Sequence, residues 1–222
     1  MKKLLIILGV VSLLFGSIGV CGATLVQWSS DDGGNDHWYE VVEADDPNDP
    51  NDPNYISWSA AAVDAEERGG YLATLTSPEE ENFVNNALGI YTNNDYWFKD
   101  GADNWQGPWL GGYQVTDDDS TPASDWKWVT GEAWSSYINW ANGEPNDAGP
   151  EPPPNFLENG HEQYLQFFWQ EGAPIEPKWN DIVHNSPVHA YIVEYNPIPE
   201  PNTILLLSTG LIGFAGFNRR KK

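Results

Sequence analysis

A single cysteine, Cys21, is present among 222 residues. From Thr24 onward the chain therefore has no thiol. Disulfides, zinc–thiolate sites and cysteine nucleophiles are excluded there. An oxidising compartment permits disulfides without requiring them in a domain of this size. Basic residues are also scarce: ten Lys and Arg stand against 33 Asp and Glu, for a formal charge of −23. Only Arg68, Lys99, Lys127 and Lys178 lie between the two ends, and every acidic residue lies from Asp31 to Glu200. Such a surface repels nucleic acid and anionic membranes, because binding phosphate takes Lys and Arg. It favours divalent cations, although most of these carboxylates read as solvated surface. His37, His161, His184 and His189 show no paired spacing, which gives no support for histidine metal or acid–base sites. The glycine pairs fit turns and helix stops, without a phosphate-loop pattern.

The two ends carry signals of their own. Met1-Lys2-Lys3 precedes an apolar run from Leu4 to Leu14, and small residues gather from Gly19 to Ala23. A basic start, an apolar middle and a small-residue exit describe a secretory signal peptide over 1–23, cleaved after Ala23. An uncleaved anchor is the alternative; Ile18-Gly19-Val20 is a poor approach to a lipidated Cys21. At the other end, Pro199-Glu200-Pro201 precedes an apolar stretch, Thr203 to Phe217, and then Arg219-Arg220-Lys221-Lys222. That stretch is short against the ~20 apolar residues a bilayer core needs, and its basic cluster favours a cytoplasmic end. The segment 198–222 resembles the PEP-CTERM sorting signal. The resemblance implies an exported bacterial protein that is transiently anchored in the inner membrane by this segment. It also implies recognition by an exosortase-type sorting enzyme and delivery to the outer envelope or extracellular matrix. A tail anchor that is retained is the other reading.

Between the ends, 24–197 is one domain's worth of chain and long enough to bury a core. Twelve tryptophans suggest a Trp-rich core, stacking platforms, or both. His37 to Val42 reads as a strand. Asp-Pro-Asn then occurs three times from Asp46 to Asn54, where the prolines forbid a helix and favour an exposed spacer. Ser57 can cap a helix to about Arg68, stopped by Gly69-Gly70. Tyr71 to Leu75 is a short strand. Ser77-Pro78-Glu79-Glu80 opens a second helix, with Glu80 placed to complete a capping box and Phe83, Val84 and Leu88 as its apolar face. After Gly89, short Trp-rich pieces alternate with turns: 96–98, 109–110, 126–128, 164–169 and 190–195. Two helices followed by many short strands is an α+β pattern with long irregular loops.

Two clusters concentrate oxygen donors. One runs Asn139-Trp140-Ala141-Asn142-Gly143-Glu144-Pro145-Asn146-Asp147, the other is Trp179-Asn180-Asp181. Both read as turn-prone loops, since Asn and Asp favour turns. Calcium takes six to eight oxygens from Asp, Glu, Asn and carbonyls. An amide can give its oxygen to the ion and its N–H to a sugar hydroxyl. These clusters complete a larger pattern from about His37 to Tyr195. Gly69-Gly70-Tyr71-Leu72-Ala73-Thr74-Leu75, Trp109-Leu110-Gly111-Gly112, Trp128-Val129-Thr130-Gly131, Asn139-Trp140, Glu144-Pro145-Asn146, His161-Glu162-Gln163-Tyr164-Leu165, Trp179-Asn180-Asp181 and Tyr191-Ile192-Val193-Glu194 occur in order. In this order they resemble the C-type lectin domain. Each motif alone is weak, and their ordered conjunction is specific.

The resemblance implies a C-type lectin-like fold: two helices with short, mostly antiparallel strands and long loops. It implies Ca2+ held by Glu144, Asn146, Glu162, Asn180 and Asp181, with Asp147 toward an auxiliary ion and a cis bond before Pro145. Glu-Pro-Asn implies carbohydrate of the mannose, glucose, N-acetylglucosamine or fucose type, with the cell's own exopolysaccharide as a candidate partner. The same five residues would bind the sugar. The chain departs from the family in two respects. Half-cystine positions are taken by Ala65 and Val193, and by Tyr164 and His184. Ala148 to Gly160, with four prolines, lengthens the loop before Glu162 and leaves Glu158 as a rival ligand. The acidic run Asp117-Asp118-Asp119 has no settled place. A structural or protein-binding domain of the same fold, without sugar, is the competing function. An enzyme is not expected, because no acid/nucleophile pair of carboxylates stands out.

Overall fold

A computed structural model describes residues 24–44, 55–115, 122–134, 137–148, 162–170, 172 and 176–197. The signal-peptide region, the Asp-Pro-Asn insert, Asp117 to Asp119, Glu158, His161 and the C-terminal segment lie outside the described residues. Among the described residues, no helix is long and apolar enough to cross a membrane.

The architecture is α+β, with two ten-residue helices on a mixed sheet. The strands are β1 (Val26–Gln27), β2 (Trp38–Glu43), β3 (Tyr71–Leu72), β4 (Phe98–Lys99), β5 (Asn104–Gln114), β6 (Trp126–Trp128), β7 (Tyr164–Gln170), β8 (Lys178–Ile182) and β9 (Ala190–Tyr195). The main order is β1-β2-β9-β5-β7-β8; β3 pairs with β9, and β4 and β6 with β5. Between these strands all pairings are antiparallel except the parallel step of Trp109 against Tyr191, and outside them Trp140 bridges Trp179 in parallel.

Helix α1 (Trp58–Glu67) begins where expected: the Ser57 side chain accepts from Ala60 N. Gly69, at φ +87°, ends it. Helix α2 (Pro78–Ala87) is capped by Ser77, whose side chain accepts from Glu80 N at 3.1 Å. The expected capping box does not close. The Glu80 carboxylate instead accepts from Thr76 N (2.7 Å), Asn35 Nδ2 (2.9 Å) and the Tyr39 hydroxyl (2.7 Å). Thr76 and the two tertiary donors take the place of the Ser77 N–H at a carboxylate that is only 2% exposed.

The sheet is covered on both faces. One core gathers Tyr39, Val41, Leu75, Val84, Leu110, Phe167, Trp179 and Ile192; the other gathers Val42, Ala61, Ala65, Leu72, Trp109, Tyr191 and Val193. Successive strand residues face opposite sides, so β9 sends Ile192 to one core and Tyr191 and Val193 to the other. Its nearly continuous apolar run is the mark of a strand buried on both faces. Gly111 lets β5 approach β3, since a Cβ there would lie 2.3 Å from the Leu72 carbonyl oxygen. Two of the half-cystine positions, Ala65 and Val193, are fully buried in one core. The other two, Tyr164 and His184, place their rings 6.1 Å apart, tilted at 58°.

A buried polar network ties β2, α2 and β9 together. His37 Nδ1 lies 2.5 Å from Glu194 Oε1, and Thr74 N donates to Glu194 Oε2 at 2.8 Å. Burial holds the Glu194 carboxyl above its ordinary range, and the hydrogen bond to Glu194 raises His37. Sequence spacing alone gave no sign of this partner for His37.

Candidate functional site: an acidic loop docked on β8

Trp179-Asn180-Asp181 forms the middle of a strand, which corrects the expectation of a loop. Strand β8 pairs with β7 residue by residue, Leu165 opposite Asp181 and Gln166 opposite Asn180. Turn propensity is overridden because Trp179 is fully buried in the core. The long loop then docks against this strand. Ala141 N donates to the Trp179 carbonyl and Trp179 N to the Asn139 carbonyl, both at 2.8 Å. Asn139 locks the junction: its amide donates to Glu81 Oε1 (2.5 Å) and to the Pro177 carbonyl (3.2 Å), and its oxygen accepts from Lys178 Nζ (2.9 Å). Trp140 packs edge-on to Trp179 at 5.9 Å. None of these anchoring contacts was foreseen. Lone Asn and Glu residues give no sequence signal for partners 39 or 58 positions away.

The docking brings the Glu144–Asp147 turn over Asp181. The Glu144–Pro145 peptide bond is cis, as expected. Asp181 is fully buried, and its carboxylate accepts from Asn146 N (3.2 Å) and Asp147 N (2.8 Å). Glu162 reaches the same turn from the start of β7. Its Oε2 accepts from Ala148 N at 3.0 Å, and its own N–H donates to Asp147 Oδ1 at 2.7 Å. Asn146 Oδ1 also accepts from Ala148 N at 2.7 Å. Five of the six sequence-derived residues therefore converge: Glu144, Asn146, Asp147, Glu162 and Asp181. Asn180 lies beside them in β8, but strand alternation turns consecutive residues to opposite sides, and no hydrogen bond links its side chain to the turn.

The electrostatics show a deficit of positive charge. Burial, and then the Asp181 charge, push Glu144 up to about 7 and Glu162 up to about 8. Burial also raises Asp181, against the two backbone N–H groups that favour its charged form. Glu144 Oε2 is buried and receives no hydrogen bond. Among the described residues, no Lys, Arg or His forms an ion pair with Glu144, Glu162 or Asp181.

These features suit a hard divalent cation. Every gathered side chain offers oxygen, the donor type of calcium and magnesium, not of zinc or copper. The orphaned Glu144 oxygen and the crowded carboxyls lack the charge such an ion brings. Among the described residues, no three His, Cys, Asp or Glu side chains already stand as a closed metal cluster. The donors are gathered, and binding would draw them together.

The combination of an α+β sheet, two helices and this oxygen-lined loop defines the C-type lectin-like fold class. The PEP-CTERM protein-sorting motif matches residues 197–221. The chain is similar to a perlucin-like protein of Mytilus galloprovincialis, 29% identical over 136 residues, covering 61% of this chain and 68% of that protein. It is also similar to halomucin of Haloquadratum walsbyi, 26% identical over 185 residues, covering 76% of this chain but 2% of that protein. Among solved structures, the C-type carbohydrate-recognition domain of cow CD23, determined in the presence of a GlcNAc2Man3 oligosaccharide, matches with a TM-score of 0.46. That match has 20% identity over 73% of this chain and 89% of that one. The chain thus carries a PEP-CTERM sorting motif at its C-terminal end. The motif indicates export through envelope sorting and implies exosortase processing.

Proposed function

We propose that the protein is a calcium-dependent carbohydrate-binding module displayed in the outer envelope or extracellular matrix. One observation carries this reading: Glu144, Asn146, Asp147, Glu162 and Asp181 converge as oxygen donors, and burial together with the Asp181 charge pushes Glu144 up to about 7 and Glu162 up to about 8. Bound calcium would supply positive charge and open positions for two vicinal sugar hydroxyls. Asp181 holds the turn by its two backbone N–H groups, which sets where Glu144 and Asn146 stand. Glu144 would accept a hydrogen bond from one hydroxyl, and the exposed Asn146 amide would donate to the other.

A glycan array run with calcium and with excess chelator tests the proposal. Mannose- or glucose-type glycans should bind only with calcium, and equal binding in chelator would reject the mechanism. Exchanging Glu144→Gln together with Asn146→Asp swaps acceptor and donor while keeping net charge and size. Calcium binding should survive, and preference should move toward galactose-type glycans. An unchanged preference would show that this turn does not choose the sugar.

The two ends carry a separate expectation. Protein from the native host should begin near Thr24 and lack Thr203 to Lys222. Intact-mass analysis reads this directly, and a mature species ending in Arg219-Arg220-Lys221-Lys222 would rule out removal of the tail.

A further inference from the structure

Several tryptophans lie outside both cores. Trp105 and Trp169 sit directly opposite each other on β5 and β7, at the end of the sheet away from Asp181. Both are half-buried, and their rings are 5.7 Å apart at 35°. Trp97 lies alongside, its Nε1 donating to the Ile90 carbonyl at 2.8 Å. Gly107 makes room for that ring, since a Cβ there would meet it at 2.6 Å. With Tyr91, Asn94 and Pro177 these three rings line a cleft of about 190 Å³. A second cleft of about 270 Å³ shares Trp169 and adds Asn142, Gln170, Glu176 and Lys178. Trp105 Nε1 is buried and has no acceptor.

We propose that this aromatic cleft is a second glycan subsite, independent of calcium, that takes neutral β-linked pyranose chains. A concave cleft lined by aromatic rings with a few polar groups is the usual form of a small-ligand site. Three features choose the occupant. Lys99 Nζ lies 5.5 Å from the Trp105 ring centroid, and the indole wall of the cleft matches the flat C–H face of a pyranose whose substituents are equatorial. The adjoining cleft offers amides and charged groups for ring hydroxyls, and Asn94 borders the aromatic one. Charge selects a neutral chain: Lys99 is paired with Asp103 at 3.0 Å and Lys178 with Glu176 at 3.5 Å, so the patch holds little net charge in an acidic protein. Trp169 lies seven residues along the chain from Glu162, roughly 23 Å at strand rise, too far for one sugar to touch both sites. The inference shares only its ligand class with the calcium reading.

The test is affinity electrophoresis of the protein through gels holding hydroxyethyl cellulose or glycol chitin, run in excess chelator. Wild type should be retarded by at least one of them. Trp169→Ala or Trp105→Ala should weaken retardation by about tenfold, and Trp169→Tyr should keep part of it. Asp181→Ala should be retarded like wild type, which separates this site from the calcium site. Circular dichroism melts identify any variant that fails to fold, and Trp169→Tyr then carries the comparison. No retardation of wild type in chelator overturns the proposal, as does retardation that ignores both tryptophan changes. Self-association that Trp169→Ala abolishes, without any glycan retardation, would make the cleft a protein interface instead.

Discussion

Replacing Asp181 by alanine should abolish calcium binding and calcium-dependent sugar binding together. The argument runs through two roles of one side chain. Asp181 contributes a buried negative charge among the gathered oxygens, and it also anchors the turn through Asn146 N and Asp147 N. Alanine removes both, leaving two backbone N–H groups without their acceptor. Loss of a metal's outer-shell partner alone costs about 10–100-fold in affinity, so losing a charged ligand that also sets the turn should exceed about a hundredfold. Titration calorimetry with calcium, then with mannose-type ligand at saturating calcium, reads each part. The variant's melting temperature should no longer respond to calcium. Wild-type calcium affinity in Asp181→Ala would mean that the ligand set is misassigned even with the fold correct. Sugar binding that persists after calcium affinity is lost would mean that the metal does not bridge the sugar.

Much of the scaffold was legible because its signals are local. Ser57 and Ser77 cap their helices as their positions imply, and 190–195 is a strand because an apolar run of that length between turns has few other uses. The expected site residues were readable only as an ordered set of motifs. No single Asn or Asp says whether it holds a turn or an ion. What could not be read is what tertiary contact decides. Trp179-Asn180-Asp181 has turn composition, yet it is a strand, because Trp179 is drawn into the core and β7 offers a full ladder. Glu80, Glu81 and Asn85 look like solvated helix surface but are 2%, 3% and 1% exposed. Their partners, among them Tyr39 and Asn139, come from distant strands and loops. The pairing of Trp105 with Trp169 likewise depends on the register of β5 against β7, which composition does not encode.

Stability should fall as pH rises from about 5 to 8 when calcium is absent, and calcium should reverse that fall. Glu81 and Glu144 are pushed up to about 7 and Glu162 to about 8, by burial first in every case. Glu194 and Asp181 are raised as well, again by burial first. In the unfolded chain these carboxyls give up their protons near pH 4. Across the window the native state therefore binds more protons than the unfolded state, and linkage makes it less stable as pH climbs. His37 adds the same sign: its raised value gives stability that is present below about pH 6.5 and lost as pH rises through the native value. Asp64 and Asp100 are lowered and act oppositely, but only below their ordinary range, outside the window. After discounting for the partial exposure of Glu144 and Glu162, the combined loss is on the order of 2–4 kcal/mol, or roughly 5–15 °C in a domain of this size. Calcium binds the deprotonated carboxylates, so its stabilisation should be larger at pH 8 than at pH 5. Thermal melts in chelator and in millimolar calcium at both pH values measure the four quantities. The change Glu162→Gln removes one raised carboxyl and should flatten the chelator profile. A chelator melting temperature that rises from pH 5 to 8 would refute the buried-carboxylate account. An equal calcium increment at both pH values would show that protons and calcium do not compete for these groups.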